Sequence, residues 1–231
     1  MKILVGIPVL YGPKHCREAI ESVIDNENVT VLVIDNGSGP DMIDMLSSFP
    51  VSKYKGKLVI IRNPENVYVN PAWNQILEYF LDRDDEYDEL LIMNSDLVMC
   101  KDWYEVLKKH LTLFPQNIPI PHITTNKNEL GIVNKSQEVT HVFEGTPGVF
   151  ICLNQVHASL IYPIPREIKV WFGDNWIYET LRKWYSTVIL SNLVAYHSGS
   201  QTVSRVPGIS ELIEQDKIEW LKLSGPKIDN E

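Results

Sequence analysis

The residue types best suited to chemistry follow an apolar run near the middle of the chain. Leu90 to Met93 are apolar, and the run ends abruptly in Asn94-Ser95-Asp96, a pattern typical of a buried strand in a parallel sheet. Ligands bind beyond the carboxyl ends of such strands, where a carboxylate is costly to bury unless it is paired or holds a metal ion. Asp96 is therefore either a turn residue that caps the next helix or a ligand of a divalent cation.

A second carboxylate, that of Asp174, stands among aromatic residues at the start of a predicted helix. In one interpretation, Asp174 or Asn175 only caps the helix. In the other, Trp171 and Trp176 partly desolvate the Asp174 carboxylate, which raises its pKa and suits it to accept a proton. The sequence thus predicts either a cap or a general base.

A histidine, His197, ends a later apolar segment and is followed by the small residues Ser198 and Gly199. A single histidine is more often structural than functional. At the end of a strand, beside small residues, its ring is also well placed to ligate a metal ion. Both interpretations stay open.

Strands and helices alternate along the first hundred residues, which favours a parallel sheet with helices on both faces. The patterns predict strands over Lys2–Pro8, Val29–Ile34, Leu58–Arg62 and Leu90–Met93, and helices over Lys14–Asp25, Met42–Ser48 and Pro71–Leu81. Three strand ends are rich in turn residues, and we expect them to line one crevice of nucleotide size: Pro8–Lys14, Asp35–Asp41 and Asn94–Asp96.

The second half of the chain is less regular in pattern. Three prolines between Pro115 and Pro121 predict an irregular segment, and the polar stretch His122–Glu144 predicts a loop or an edge strand. The other predictions are helices over Lys101–Phe114, Gln155–Leu160 and Ser210–Leu223, a helical face through Trp176 and Trp184, a strand ending at His197, and a glycine-kinked loop from Gly145 into a buried strand ending at Leu153.

Length and composition narrow the class of protein. The 231 residues suffice for one domain with a proper core, and the net charge of −9 argues against a nucleic-acid surface. Three scattered cysteines (Cys16, Cys100 and Cys152) match no metal spacing and are expected to be buried, reduced thiols. With no signal peptide and no run near the roughly 20 apolar residues of a membrane span, we expect a soluble, cytoplasmic protein.

Several nucleotide-binding and catalytic motifs are missing from the sequence. There is no G-x-G-x-x-G after the first strand, no phosphate-binding G-x-x-x-x-G-K-[ST] loop, and no G-x-S-x-G elbow. Without an evident cradle of backbone amides, a bound diphosphate would need another positive partner. A divalent cation on Asp96 would supply it.

The order of these elements and motifs resembles the family 2 glycosyltransferases of the GT-A fold over about Lys2 to Thr202. The likeness extends to rhamnosyltransferase-like and to stand-alone bacterial or large-virus members. Five segments carry the resemblance: Ile7–Val9 (similar to the end of the family's first strand), Ile34–Ser38 with Asp41 (D-[DN]-G-S-x-D), Asn63–Val67 with Asn74 (N-x-x-N-x-G…N), Asn94-Ser95-Asp96 (D-x-D), and Asp174 with Arg182 (E-D…R). The chain departs from the family in lacking the glycine after Asn66 and in placing Trp73 where many members have an arginine.

The resemblance implies a mainly parallel α/β sheet flanked by helices, with a mixed acceptor-side portion, in one domain. Its nucleotide-sugar half would span about residues 1–99, its acceptor half 100–205, and a helix and tail 206–231. The implied activity is that of a metal-dependent inverting glycosyltransferase of hexosyltransferase type, using Mn²⁺ or Mg²⁺, a UDP-, GDP- or dTDP-linked donor and a carbohydrate or glycoconjugate acceptor. A non-catalytic nucleotide-sugar binder and a nucleotidyltransferase on a related fold are the alternatives.

The resemblance also assigns roles to individual residues. Asp174 would be the catalytic base, and Asp96 and His197 the metal ligands. The acceptor side would include Gly148, Trp171, Trp176 and Arg182, and the nucleotide-sugar side Pro8, Val9, Tyr11, Asp35, Asn36, Asn66, Asn74, Asn94 and Ser95. The C-terminal helix would pack over the acceptor side or, alternatively, serve as a docking surface.

Overall fold

The structure is a computed structural model that describes residues 1–131, 139–142, 148–199 and 205–225. Its strands are β1 (Ile3–Val9), β2 (Val29–Asp35), β3 (Lys57–Arg62), β4 (Glu89–Met93), β5 (Leu97–Met99), β6 (Asn117–Thr124), β7 (Val139–Val142), β8 (Phe150–Asn154) and β9 (Ser186–His197). Its α-helices are α1 (Pro13–Val23), α2 (Pro40–Ser47), α3 (Val69–Leu81), α4 (Trp103–Leu113), α5 (Gln155–Ile161), α6 (Gly173–Leu181) and α7 (Ile209–Ser224). Part of the predicted glycine-kinked loop, residues 145–147, lies outside the described residues.

A five-stranded sheet in the order β3-β2-β1-β4-β8 forms the centre of the molecule. The first four strands are parallel, and β8 runs antiparallel to β4. Strands β1, β2 and β4 are almost continuously apolar because helices cover both faces of the sheet. The four strands and the parallel sheet predicted from the first hundred residues are therefore confirmed.

Alternate residues of β1 point to opposite faces of this sheet and enter two different core layers. Ile3, Val5 and Ile7 pack in the layer that contains α1 and α2, whereas Leu4 packs with residues of α3 and α6. Both faces of β1 are therefore packed against helices, and this packing fixes the position of the carboxyl end of β1.

A second, mixed sheet has the order β5-β9-β6, with β7 also paired to β9. Strand β6 includes Pro119 and Pro121, so the prediction of an irregular proline-rich segment was wrong. β6 lies at the edge of this sheet in the described part of the chain. In a strand, residues two apart direct their backbone N–H groups to the same side. Pro119 and Pro121 can therefore both face away from β9, so that their lack of an N–H removes no hydrogen bond to β9. The predicted mixed character of the second half is confirmed.

The three cysteines are buried and free, as predicted. Within the described residues, no helix combines the length and apolar character needed to cross a membrane.

Candidate active site

A cleft opens beyond the carboxyl ends of β1 and β4. Its empty space is about 860 Å³ including the open mouth. Seven residues predicted from the sequence line it: Pro8, Asn36, Asn66, Asn94, Ser95, Asp96 and His197. Seven others that were not predicted complete the wall: Leu10, Tyr68, Val69, Val149, Val170, Val206 and Ile209.

Asp96 and His197 are brought together by the pairing of β5 with β9. Leu97 is the register partner of His197, and the N–H of Ser198 donates to the carbonyl of Asp96 over 3.3 Å. As a result, Oδ1 of Asp96 lies 3.2 Å from Nε2 of His197, and the two side chains are only 11% and 18% exposed. Two residues 101 positions apart thus face the cleft as one pair.

The chemistry of this pair fits a divalent cation. Nε2 of His197 is buried and has no hydrogen-bond partner of adequate geometry among the described residues. Neighbouring ligands of an octahedral cation stand roughly 3 Å apart when each bond is about 2.1 Å long, so the 3.2 Å between the two side chains is compatible with their sharing one ion. In the described part of the chain, no cluster of three or more His, Cys, Asp and Glu forms. Mg²⁺ sites in proteins typically use one or two carboxylates, with substrate phosphates and water as the other ligands.

Asp35, at the end of β2, is not placed on the cleft wall. Its Oδ1 accepts a hydrogen bond from the N–H of Ser38 over 3.0 Å, and its Oδ2 lies 3.7 Å from Nε of Arg62. The carboxylate is almost fully buried, with 3% of its side chain exposed. Its position suits it to fixing the loop after β2 more than to touching a ligand.

Asn36 and Asn66 do line the cleft, and their amide groups hold the loop before α3 in place. The Asn36 side chain donates to the carbonyl of Tyr68 over 3.1 Å and accepts from Asn63 over 2.8 Å. Oδ1 of Asn66 accepts from the N–H of Tyr68 over 2.9 Å. Tyr68 has a positive φ of 70°, a conformation that needs such support in a residue with a side chain. The network therefore positions Tyr68 on the wall.

Three further residues predicted on the nucleotide-sugar side, besides Asp35, are not brought to the wall. Pro8 and Leu10 line the cleft, whereas Val9 and Tyr11 do not. Val9 is 2% exposed and belongs to the core. Both ends of the Asn74 amide are bound to the backbone of Ile164, over 2.8 and 2.9 Å, which gives Asn74 a structural role.

Asp174 lies in the first turn of α6, and the prediction that Asp174 or Asn175 caps this helix was wrong. The capping position belongs to Phe172, in the left-handed region with φ 64°. Burial raises the pKa of the Asp174 carboxyl above its ordinary value, while backbone amides, including those of Asn175 and Gly148, act in the opposite direction. The direction of this pKa shift agrees with the sequence prediction and suits a group that accepts a proton.

Gly148 packs directly against Asp174. A Cβ atom at residue 148 would lie 2.7 Å from Oδ2 of Asp174, so the close approach depends on glycine. The next residue, Val149, lines the cleft, and its carbonyl accepts a hydrogen bond from the N–H of Asn94 over 3.0 Å. The Asp174 carboxylate is not itself among the lining residues, and it is connected to the wall through Gly148 and Val149.

The other acceptor-side residues are not gathered around Asp174. Trp171 is 48% exposed, and Nε1 of Trp176 donates to the carbonyl of Ile161 over 2.9 Å, which directs this ring toward α5. Arg182 follows the end of α6, where it pairs with Glu179 over 2.8 Å. The Trp176 indole nitrogen is therefore engaged with the backbone of α5, and the guanidinium of Arg182 is engaged with Glu179.

Sequence reasoning missed the apolar part of the wall. Val149 and Val170 are apolar neighbours of the predicted residues Gly148 and Trp171. Val206 lies just before α7 and Ile209 is its first residue, about 110 residues after Asp96. The one available signal was the predicted C-terminal helix, for which the sequence predicted packing over the acceptor side or, alternatively, a docking surface.

Comparison with known proteins gives two findings. The family model described as "Glycosyl transferase family 2" matches residues 5–168, well over half of the chain. No curated protein matches the chain.

Three solved structures illustrate the likeness in fold. S. aureus TarS is 15% identical with a TM-score of 0.66, and the alignment covers 96% of this chain and 40% of TarS. GalNAc-T7, solved with UDP, GalNAc and Mn²⁺, is 11% identical with a TM-score of 0.68, covering 96% and 50%. The mannosyltransferase PcManGT from Pyrobaculum calidifontis, solved with GDP-Man and Mn²⁺, is 11% identical with a TM-score of 0.67, covering 96% and 64%. The chain thus spans less than two thirds of each of these proteins, and the likeness confirms the predicted GT-A fold.

Proposed function

The chain belongs to glycosyl transferase family 2, and from this premise we propose that it transfers a sugar from a nucleotide-diphosphate donor to an acceptor hydroxyl group. The donor would be UDP-, GDP- or dTDP-linked and would lie in the cleft beyond β1 and β4. The acceptor would be a carbohydrate or glycoconjugate. The UDP and GDP-Man bound in GalNAc-T7 and PcManGT support a donor of this class.

The observation that carries the proposal is the pair formed by Asp96 and His197. A donor diphosphate is strongly negative, and the cleft wall, as far as the structure describes it, contains no lysine or arginine. Asp96 and His197 are the residues that would hold Mn²⁺ or Mg²⁺; Oδ1 of Asp96 lies 3.2 Å from Nε2 of His197. When bound, the cation would neutralise the charge that grows on the leaving diphosphate. The Mn²⁺ in both related structures supports this requirement.

Asp174 is the proposed general base. The acceptor oxygen would attack the anomeric carbon on the side opposite the diphosphate, its proton would pass to the Asp174 carboxylate, and the bond from the sugar to the diphosphate oxygen would break. This displacement inverts the configuration of the sugar. A base of this kind contributes roughly 10²- to 10⁴-fold to the rate.

The remaining wall residues would bind and orient the donor. The amide network around Asn36 and Asn66 holds Tyr68 against the cleft, where the nucleoside would lie with Pro8. Asn94 and Ser95 would stand near the donor sugar, because they directly precede the metal ligand Asp96.

The test is a panel of nucleotide sugars incubated with Mn²⁺ and candidate sugar acceptors, with release of the nucleoside diphosphate as the readout. Wild-type protein should release the diphosphate from one class of donor, and Asp96→Ala should abolish that release. Asp85→Ala, which removes an exposed carboxylate from a surface connection, is the matched control and should keep full activity.

Two results would contradict the proposal. Donor binding without any turnover or donor hydrolysis would indicate a non-catalytic binder. Release of pyrophosphate from a nucleoside triphosphate would indicate a nucleotidyltransferase.

A further inference from the structure

One carboxylate outside the cleft is fully buried and, among the described residues, binds to the backbone of a single segment. Asp216, on α7, is 0% exposed. Its Oδ1 accepts from the N–H of Lys169 over 2.9 Å, and its Oδ2 accepts from the N–H groups of Val170 and Trp171 over 2.6 and 2.8 Å. A buried carboxylate is costly unless it is fully hydrogen-bonded, and three charge-assisted bonds to consecutive amides meet that requirement.

The bound segment, residues 168–172, needs partners because it belongs to no helix or strand. Buried backbone groups outside regular structure must find other hydrogen bonds. Asn70, at the start of α3, supplies them for the carbonyls: its N–H donates to Lys169 over 2.9 Å, and its side chain donates to Trp171 over 3.0 Å and Ile168 over 3.2 Å. The carbonyls of the segment are therefore hydrogen-bonded to Asn70 of α3, and its N–H groups are hydrogen-bonded to Asp216 of α7.

This segment connects the cleft wall to the proposed base. Val170 lies on the wall. Phe172, which has a φ of 64°, stacks on Trp220 of α7 with ring centroids 5.7 Å apart and an interplanar angle of 7°. Asp174 follows two residues later in the first turn of α6. A shift of residues 169–172 would therefore move the wall and the Asp174 carboxylate together.

Helix α7 also reaches the cleft at its other end. Val206, just before α7, and Ile209, its first residue, line the wall, and Asp216 lies two turns further on. The family model ends at residue 168, so these contacts belong to the part of the chain that it does not match.

We propose that Asp216 is a positioning residue that fixes residues 168–172 and thereby sets the orientation of the Asp174 carboxylate toward the acceptor. The inference rests on the proposed function, since it assigns Asp216 an effect on the transfer step. The carboxylate is required in this position because it presents two acceptor oxygens to three donors. An amide would replace one oxygen by an NH₂ group, which cannot accept.

The experiment compares Asp216→Asn with Glu214→Gln, which removes an exposed carboxylate from the same helix. We expect Asp216→Asn to lower kcat roughly 10- to 100-fold, as for a misplaced catalytic group, and Glu214→Gln to leave kcat unchanged. Amide hydrogen exchange should accelerate at residues 169–171 in Asp216→Asn only, with the exchange of β1 amides unchanged. In an Asp174→Asn background, Asp216→Asn should cause little further loss of kcat, because both changes act on the same group.

A folded Asp216→Asn protein with faster exchange at residues 169–171 and unchanged kcat would overturn the inference and leave Asp216 a purely structural role. Unchanged exchange would overturn it as well. If Asp216→Asn does not fold, Trp220→Leu provides the second variant, because it removes the support of Phe172 without leaving backbone donors unpaired. Trp220→Leu should lower kcat by more than it weakens donor binding, and equal effects on both would count against the inference.

The proposed function and this inference fail in different ways. Wild-type protein that turns over no nucleotide sugar would end the proposed function and the inference together. Normal turnover by wild type, matched by Asp216→Asn, would end only the inference.

Discussion

Replacing Gly148 by alanine tests how strictly the position of the Asp174 carboxylate matters. A Cβ at residue 148 would lie 2.7 Å from Oδ2 and 2.8 Å from Cβ of Asp174, whereas ordinary van der Waals contact begins at 3.4 Å. Relieving the overlap requires a relative shift of about 0.7 Å. A misplacement of this order at a reacting group lowers the rate by roughly 10- to 100-fold. We therefore expect Gly148→Ala to lower kcat by that factor.

Steady-state transfer kinetics with saturating donor would measure the effect, with calorimetry to compare donor Kd. Gly131→Ala is the matched control, since a Cβ there would have no described atom within 4 Å apart from its chain neighbours, and it should leave kcat unchanged. Donor Kd should change little in Gly148→Ala, because Gly148 is not on the cleft wall.

The reasoning also makes a prediction for the double variant. In an Asp174→Asn background, Gly148→Ala should cost little further rate, because the group that it displaces no longer accepts a proton. A Gly148→Ala protein that keeps its turnover within about twofold of wild type would refute the reasoning. The reasoning would also be refuted if Gly148→Ala lowered kcat by the same factor in wild type and in the Asp174→Asn background.

Three further predictions concern activity and stability. Asp174→Asn should lower kcat at least ~100-fold with donor Kd nearly unchanged, and retention of most of the turnover would show that Asp174 is not the base. Burial raises the pKa of Glu89 to about 8 from its ordinary 4.5, so the folded state binds an extra proton between these values. Its contribution to the free energy of unfolding is full below about pH 4.5 and is lost as the pH rises through 8. Urea unfolding of Glu89→Gln should lose this pH dependence. A dependence of the free energy of unfolding on pH that is unchanged in Glu89→Gln would contradict the raised pKa of Glu89. Gly173→Ala would drive a Cβ into Oδ1 of Asn70 and should lower the free energy of unfolding by about 1–3 kcal/mol, whereas an unaltered Tm would show that the contact yields freely.

The first half of the fold could be predicted because its strands are buried on both faces. β1, β2 and β4 are apolar almost throughout, which leaves few alternatives to a parallel sheet with helices on both sides. Strand β6 escaped prediction because its composition is that of a loop. Only the completed sheet shows that it lies at an edge, where Pro119 and Pro121 are tolerated.

The site was predictable in part for a similar reason. Polar residues at strand ends predicted Asn36, Asn94 and Asp96 on one wall, because the carboxyl ends of parallel strands meet at one edge of the sheet. The likeness of a motif could not show that the amide of Asn74 is bound to the backbone of Ile164.

The contributions of α7 were beyond prediction because they depend on how the chain returns to the cleft. Val206 and Ile209 reach the wall, and Asp216 reaches residues 169–171, across large separations in sequence. An aspartate in an amphipathic helix does not differ in sequence from a solvated one, and only packing reveals that Asp216 is buried.

The most direct test of the account is calorimetric titration of the reactive nucleotide sugar into wild type and His197→Ala, with Mn²⁺ or with excess EDTA. Wild type should bind the donor with Mn²⁺ and lose most of that affinity in EDTA, because the described wall offers the diphosphate no other cation. His197→Ala should weaken Mn²⁺ binding about 10- to 100-fold or more, with a corresponding loss of donor affinity. Equal donor affinity in Mn²⁺ and in EDTA would contradict the claim that Asp96 and His197 hold the cation on which this site depends.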